Sequence, residues 1–514
     1  MTVRLHTIAS HRPFLGDLAA GLWDLHGGRS GEGLAGTLLL LPTRRAVRAM
    51  GEAFRLEAER RGRQAVLLPR MRTIGDIDEE ELILDRLLRE EAGTQALDLP
   101  RAMPEMRRLF LLARLVARWQ ERVRAEAPED RPPLGAAQIF ALARELGRFL
   151  DLAYTEGARL DSLADIVPDT LAHHWALTVE FLRILSEHWP AILEAEQAID
   201  PADRRNRLIG RLAESWTAAP PAFPVIAAGS TGSIPATARL LAVIARLPQG
   251  AVVLPGLDTE LDRASWEAVG TGHAQAAMKS LLERMGVGRE VVLPWTEESR
   301  SGQSPRSRLV SEALRPVDTT DAWQDAARHI DLDAARAGLG LIEADGPGEE
   351  ALAIALLLRE TLETADSTAA LVTPDRELAR RVASELARWD ITIDDSAGIP
   401  LAQTPPAAFL RLIAQAAEER LAPAPLLAVL RHPLAALGLP RGEASRLTSR
   451  LERTLLRGVR PAGGIAGLRA ALAAADLPEA EYRANLAAFI DRIEAGLGPF
   501  LTLLAGDGGA PPGR

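Results

Sequence analysis

The chain has 514 residues, too many for one hydrophobic core, and a typical domain size of about 150 residues predicts three or four domains. Hydrophobic residues make up 47% of the chain and charged residues 25%, which is typical of a soluble globular protein, while the lack of cysteine excludes disulfides, thiolate zinc sites and cysteine-bound iron–sulfur clusters within these residues. The formal net charge of -10 argues against a cationic coat for nucleic acid but leaves room for a local basic groove.

The beginning of the chain is predicted to be an α/β block. The N-terminus lacks the apolar core of a signal peptide and no run reaches the ~18 apolar residues of a membrane span, so we expect a cytoplasmic protein. A buried strand over 37–41 leads into an amphipathic helix over 44–61, and an apolar run at 65–69 is expected to pair beside that strand. The candidate core positions of the helix are Val47, Met50, Phe54 and Leu56. The acidic residues within 73–81 suit the start of a further helix, because their negative charge complements the helix dipole. The alternative interpretation is a metal site.

From about 82 to 220 the pattern is helical almost throughout. Two apolar stripes with helical spacing are predicted to be core rather than a cofactor site. Their members are Phe110, Leu111, Leu112, Leu115, Val116 and Trp119, and Phe140, Leu142, Leu146, Phe149 and Leu150. His173 and His174 cannot share one metal ion, because adjacent helical side chains point about 100° apart, so we expect packing and surface roles for them.

A strand over 225–228 is followed by a loop rich in glycine and hydroxyl groups, apolar helical spacing over 236–247 and a strand over 251–254. Such a unit places its loop at the carboxyl edge of a parallel sheet, where α/β proteins bind ligands. The candidate site residues of this loop are Gly229, Ser230, Thr231, Gly232 and Ser233. The alternative is structural: these hydroxyls serve as the N-cap of a helix that has Pro235 in its first turn.

Residues 296–325 are polar and turn-rich and predict a surface loop or linker. A second α/β block follows, in which Thr373 and Pro374 cap an arginine-bearing helix after a strand, much as Pro42 and Thr43 do near the start of the chain. Its predicted strands are 340–344, 369–372 and 391–393, and its predicted helices are 348–361 and 376–388. Two sheets of similar design are therefore expected, followed from 405 onward by Ala/Leu-rich helices.

Familiar catalytic motifs are missing. A Walker A loop is excluded because Lys279, the only lysine, has no glycine before it and lies in a helical pattern. Gly338-Leu339-Gly340 lacks the third glycine of the dinucleotide fingerprint, and neither a Gly-x-Ser-x-Gly elbow nor a His-Glu-x-x-His motif occurs. Three carboxylates follow predicted strands, where magnesium would bind, but no phosphate cradle accompanies them: Asp258, Asp394 and Asp395.

A second candidate site follows the strand over 37–41. A helix N-terminus and guanidinium groups at this place would hold a phosphate backbone. The residues concerned are Thr43, Arg44, Arg45 and Arg48. The alternative is a solvated helix face balanced by the acids that follow, namely Glu52, Glu57 and Glu59, and the sequence favours neither interpretation.

Five ordered segments carry a resemblance to a known family. They are 40–46 (LLPTRRA), 67–79 (LLPRMRTIGDIDE), 227–237 (AAGSTGSIPAT), 250–258 (GAVVLPGLD) and 394–402 (DDSAGIPLA). Together they resemble the AddB family, the helicase-like subunits of the AddAB double-strand-break repair complex, in its alphaproteobacterial form. The resemblance runs in register from residue 3 to about 410.

The resemblance implies an α/β fold of the superfamily 1 helicase type, with two RecA-like parallel-sheet domains and large helical insertions. The implied domains are 1–80 plus 221–315 (first RecA-like domain), 81–220 (helical insertion), 338–404 (start of the second RecA-like domain) and 405–514 (helical insertion, truncated). It also implies contacts with single-stranded DNA in a loop that follows a strand of each RecA-like domain, and further contacts near the cleft between the two domains. The positions are Thr43, Arg44, Arg45, Arg48, Gly229, Ser230, Thr231, Ser233, Thr373 and Arg376.

The implied partner is an AddA-type helicase-nuclease subunit, which would form a heterodimer acting on DNA ends and single-stranded DNA in homologous recombination. ATP and magnesium would belong to that motor, and an iron–sulfur cluster to a C-terminal nuclease domain that this sequence lacks. Because the Walker A lysine and the nuclease motifs are missing, we expect an N-terminal portion that is a catalytically inactive DNA-binding scaffold without a cofactor. The alternatives are a helical interaction protein without DNA contact and a nucleotide-binding α/β enzyme that uses the loop 229–233.

Overall fold

The computed structural model describes residues 3–28, 31–74, 99–126, 133–158, 160, 181–182, 184–296, 304–365, 367–477 and 479–505. Two predictions lie outside these residues: the metal site in the acidic segment 76–81, and the packing of His173 and His174. The chain divides into two compact units, Met1–Gly340 and Leu341–Arg514. Within the ranges given above, no helix is both long and apolar enough to cross a membrane.

The first unit contains a six-stranded parallel sheet. The strands assigned in the described part of the chain are β1 (Leu5–Ile8), β2 (Leu38–Leu41), β3 (Arg70–Thr73), β4 (Arg101–Ala102), β5 (Ala198–Ile199), β6 (Val225–Ala228), β7 (Gly250–Pro255) and β8 (Leu293–Pro294). Six of them form the sheet in the order β3-β2-β6-β7-β1-β8, and β4 and β5 form a separate parallel pair. All four residues of β6 are buried, as expected of a central strand with both faces covered.

Helices cover both faces of this sheet. Their bounds in the first unit are α1 (Phe14–Leu22), α2 (Arg44–Arg60), α3 (Glu105–Glu126), α4 (Ala136–Glu156), α5 (Trp189–Ala195), α6 (Pro201–Ala218), α7 (Pro235–Ile244), α8 (Arg263–Ala268), α9 (Ala276–Met285), α10 (Pro305–Ala313), α11 (Trp323–His329) and α12 (Leu332–Arg336). α1 and α2 pack on the face where Leu39 and Leu41 are buried. α6, α7 and α9 pack on the opposite face, with Leu40 and Ala227. The result is a three-layered α/β architecture, compatible with a Rossmann-like or RecA-like fold.

Between β3 and β6 in the chain, α3 and α4 pack side by side around a core of their own. Five members of the predicted stripes are buried there: Leu112, Leu115, Val116, Leu146 and Leu150. Phe110 is 52% exposed, against the prediction, because it lies about 200° around the helix from Leu112. It contacts Phe140 edge-on instead, with 5.3 Å between the ring centroids. Phe149 is exposed as well.

The second unit is helical. Its helices are α13 (Pro347–Thr361), α14 (Arg376–Ala387), α15 (Pro405–Glu418), α16 (Pro423–Arg431), α17 (Arg441–Leu451), α18 (Gly464–Ala474) and α19 (Ala480–Ala505). α13 and α14 pack around Ala355 and Val382, while the later helices share a larger cluster that includes Leu426, Leu468 and Phe489. The predicted helices 348–361 and 376–388, and the helical character after 405, are confirmed.

The predicted second parallel sheet is not formed. The segments 340–344, 369–372 and 391–393 are all described, and none of them is a strand. Leu341 is 86% exposed and Val372 is 93% exposed. A strand exists only where a neighbouring strand completes its backbone hydrogen bonds, and a short apolar run does not by itself supply that neighbour. The prediction of a sheet over these three segments is therefore wrong.

Three local predictions also change. The strand predicted over 65–69 begins at Arg70 instead, because pairing with β2 fixes it to Arg70–Thr73. Phe54 lies on the buried side of α2. Leu56 is exposed, because it lies about 200° around the helix from Phe54. The predicted loop 296–325 contains α10, a 3₁₀ turn over Val317–Ala322 and the beginning of α11.

Candidate functional site

The two loops that the sequence singles out lie side by side at the carboxyl edge of the sheet. β2 and β6 are paired neighbours, with Leu40 opposite Ala227. A β-carbon placed on Gly229 would lie 3.5 Å from Cδ of Pro42, so the loops after the two strands are in close contact. Gly229 has a φ of 78°, a left-handed conformation that glycine adopts without strain.

The chain leaves β2 and β6 in opposite directions. α2 packs on one face and leads to β3, whereas α7 packs on the other face and leads to β7. Crossovers of a single hand require helices on opposite faces when their directions differ. This is a topological switch point, the position at which open α/β sheets bind ligands. We call the two loops, residues 42–45 and 229–233, together with the first turn of each following helix, the switch-point site.

One side of the switch-point site is the start of α2. Thr43 is its N-cap, and the Thr43 hydroxyl accepts a hydrogen bond from the Ala46 amide at 3.1 Å. Arg44 and Arg45 open the helix, Arg48 follows one turn later, and all three are exposed. The first turn contains no acid. The helix dipole makes this end positive and the guanidinium groups add to that positive potential, so this end of α2 suits an anionic ligand.

The acids of α2 are engaged in the second half of the helix. Glu52 and Glu59 both pair with Arg55, at 2.6 Å in the case of Glu52, and the hydrogen bond from Arg55 lowers the pKa of Glu52. Glu57 is buried and accepts a hydrogen bond from Arg61 at 2.6 Å. These pairs weaken the alternative in which the same three glutamates balance the arginines of the first turns.

The other side of the switch-point site is the loop before α7. Gly229, Ser230 and Thr231 are half-buried and Ser233 is exposed. The Ser230 hydroxyl accepts a hydrogen bond from the Gly232 amide at 3.3 Å and so closes a small turn within the loop. The N-cap of α7 is a residue that sequence analysis did not single out, and no side chain caps the helix, although Pro235 does lie in its first turn. The structural alternative, in which the loop hydroxyls cap the helix, is therefore wrong.

Gly232 fixes the path of this loop. Its φ is 66°, and a β-carbon at this position would lie 2.9 Å from Cδ1 of Leu281 in α9. Glycine is needed here both for the backbone conformation and for the close packing. The loop is thus held against the helix layer and keeps the uncapped end of α7 at the sheet edge.

Thr373 and Arg376 belong to the second unit. The N-cap of α14 is Asp375 rather than Thr373, and the Thr373 hydroxyl accepts a hydrogen bond from the Asp375 amide at 3.0 Å. Arg376 forms a two-pronged ion pair with Asp395, at 3.0 and 2.6 Å, and hydrogen bonding from Arg376 lowers the pKa of Asp395 to about 2. Arg376 already has an anionic partner, which DNA would have to displace in order to bind there.

The carboxylates considered for magnesium have structural partners where the structure shows them. Asp258 accepts hydrogen bonds from the Glu260 and Leu261 amides at 2.8 and 3.1 Å and so holds the turn after β7. Asp395 is bound to Arg376. In the described part of the chain, no group of three or more His, Cys, Asp or Glu side chains is arranged to hold a metal ion.

A comparison with models of known protein families finds none that matches this chain, and a comparison with curated proteins finds no similar one.

Proposed function

We propose that this chain is a helicase-like subunit of the AddB type, which binds DNA and works with an AddA-type motor subunit in the resection of DNA ends for homologous recombination. The observation that carries the proposal is the pairing of β2 with β6. It brings the cationic start of α2 beside the uncapped start of α7, at the edge where α/β sheets bind ligands.

In this proposal the switch-point site holds the sugar–phosphate backbone. Guanidinium groups of Arg44, Arg45 and Arg48 bind phosphate oxygens, and the backbone amides at the start of α7 donate hydrogen bonds to another phosphate. Such contacts position a strand without reading its bases. The chain is then a DNA-handling scaffold with a helicase-like architecture.

The same proposal assigns ATP hydrolysis to the partner. A phosphate-loop lysine must reach the outer phosphates of ATP, and Lys279 is occupied elsewhere. Its ammonium donates hydrogen bonds to the carbonyls of Glu267 and Val269 at 2.7 and 3.0 Å. We therefore expect no ATPase activity from this chain alone.

The test is a titration of forked duplex DNA over a series of salt concentrations, with the chain alone and with an AddA-type motor. Replacing Arg44 and Arg45 by alanine removes two phosphate contacts and should make the slope of log K against log salt shallower by about 1.8. The matched control is Arg55→Ala/Arg60→Ala, which removes equal charge from the far half of the same helix. If both variants change the slope equally, the switch-point site does not hold DNA.

A nucleotide-binding enzyme is the second candidate, because Thr231 and Ser233 lie at the sheet edge without capping α7. A nucleotide that binds only the folded state raises the unfolding midpoint in proportion to RT ln(1 + [L]/Kd). Stabilisation by ATP, NAD or a sugar nucleotide, lost in Thr231→Val, would favour the enzyme. Binding to the motor subunit without any DNA binding would instead favour a pure interaction protein.

A further inference from the structure

The second unit carries a concentration of arginine that sequence analysis did not single out. Residues 441–460 contain six arginines and only two acids, whereas the whole chain has a formal net charge of -10. This segment comprises α17, a π-helical turn over Glu452–Leu456 and the exposed residues that follow. π-helical turns are often found at functional sites.

Four of the arginines form a row. Arg446, Arg450, Arg453 and Arg457 follow one another at intervals of four, three and four residues. Arg446 and Arg450 lie on α17, Arg453 lies in the π-helical turn, and Arg457 is the residue at which that turn ends. Three of them are exposed and Arg450 is half-buried. The row therefore runs from the second half of α17 to the end of the π-helical turn. We call these four residues the arginine row.

The acids of this segment do little to neutralise the row. Glu452 pairs with two arginines at once, Arg431 and, at 2.9 Å, Arg457, and the hydrogen bond from Arg457 lowers the pKa of Glu452. Because one carboxylate is shared by two guanidinium groups, this trio keeps a net positive charge. The other acid, Glu443, lies one turn before Arg446, at the beginning of the row.

Arg450 and Arg453 of the row are also held in place. The Arg450 guanidinium lies 5.1 Å from the centroid of the Tyr482 ring, and the Tyr482 hydroxyl is 3.2 Å from that of Thr454. Arg453 donates a hydrogen bond to the Ser449 carbonyl of its own helix at 3.2 Å. Arg446 makes no hydrogen bond or ion pair with any residue that the structure describes. Arg450 and Arg453, which are held by these contacts, lose less side-chain entropy on binding.

We propose that the arginine row binds the phosphate backbone of a nucleic-acid strand. A single small anion is held by donors that converge on one point, whereas these cations follow one another from α17 through the π-helical turn to its end. That arrangement matches an extended polyanion with regularly spaced charges, and it makes contacts that are sequence-independent and sensitive to salt. The inference stands apart from the switch-point site, because the row lies in the other unit.

The experiment uses the full chain carrying Arg44→Ala/Arg45→Ala/Arg48→Ala, so that none of the switch-point arginines contributes to the salt dependence. Binding of a labelled single-stranded oligonucleotide is titrated over a salt series, with and without Arg446→Gln/Arg453→Gln. Loss of two contacts to a single strand should make the slope shallower by about 1.4. Arg446→Lys/Arg453→Lys, which keeps the charges, should restore most of the slope.

The matched control is Arg380→Gln/Arg381→Gln, which removes the same charge from α14, where both arginines lie beside Glu377. An equal loss of slope in the control would reduce the effect to net charge and overturn the proposal. Competition by poly-glutamate as effective as by the oligonucleotide would also overturn it, in favour of an acidic protein partner. If Arg44→Ala/Arg45→Ala leaves the salt slope unchanged while the substitutions at Arg446 and Arg453 make it shallower, only the switch-point proposal is contradicted. The two proposals can therefore be tested independently.

Discussion

Arg108 is a buried cation that joins three helices of the first unit. It is 7% exposed, and its guanidinium lies 3.0 Å from Asp151 of α4 and 3.1 Å from the fully buried Asp200, the N-cap of α6. It also donates a hydrogen bond to the Gly147 carbonyl at 3.0 Å. Removing one member of such a buried pair leaves the other charge without compensation.

We therefore expect Arg108→Met to lower the free energy of unfolding of the first unit by about 3–5 kcal/mol. The neighbouring Arg107 provides a matched control, because its ion pair with Glu196 lies at the surface with the arginine side chain 55% exposed. Arg107→Met should cost far less, because a solvent-exposed ion pair adds little to stability. Denaturant titrations of the two variants give the comparison, and equal costs would show that burial of Arg108 adds nothing.

Asp395 gives a prediction that depends on pH. Its pKa is lowered from 3.8 to about 2 because Arg376 hydrogen-bonds the ionised carboxylate. A depressed folded-state pKa means that this contribution to stability is present above the unfolded value and is lost as the pH falls from about 4 to about 2. A carboxyl titration by NMR should show the low midpoint, and Arg376→Gln should return it toward about 3.9. An unchanged midpoint in the variant would mean that Arg376 does not hold Asp395.

At the scale of elements, the sequence predicted best the strands that are buried on both faces. β2, β6 and β7 are continuous apolar runs, and the structure confirms all three. β3 escaped the prediction because its residues, Arg70–Thr73, are mostly polar and lie at the edge of the sheet, where pairing with one neighbour decides the assignment. At 369–372 the error is the opposite one, since a strand was predicted there and none is formed. The segment is apolar but has no neighbouring strand to pair with.

The switch-point site was also predicted only in part. The spacing of strand, loop and helix was enough to place both 229–233 and Thr43 to Arg48 at the carboxyl ends of their strands. The sequence did not reveal that β2 and β6 are neighbours, because strand order is set by crossovers that involve distant residues. Nor did it reveal which residue caps α7, since serine and threonine suit a cap and a loop equally well.

At the scale of the whole molecule, the chain separates into two units that each have their own buried clusters. The sheet of the first unit buries apolar side chains on both faces, and the helices after Pro405 bury a cluster within the second unit. The two proposed nucleic-acid surfaces are divided in the same way, with the switch-point site in the first unit and the arginine row in the second. A strand that used both would contact the chain at two places, each with its own salt dependence.

This division predicts that unfolding is not a single two-state transition. Each unit has its own core, so denaturant should unfold the chain in two transitions. Leu241 and Leu468 are fully or almost fully buried, the first in the sheet layers and the second in the later helices. Leu241→Ala should shift one transition and Leu468→Ala the other, each by about 2–5 kcal/mol, because the cavity each leaves destabilises only its own core. Circular dichroism followed against denaturant would resolve this, and a single transition shifted equally by both substitutions would contradict it.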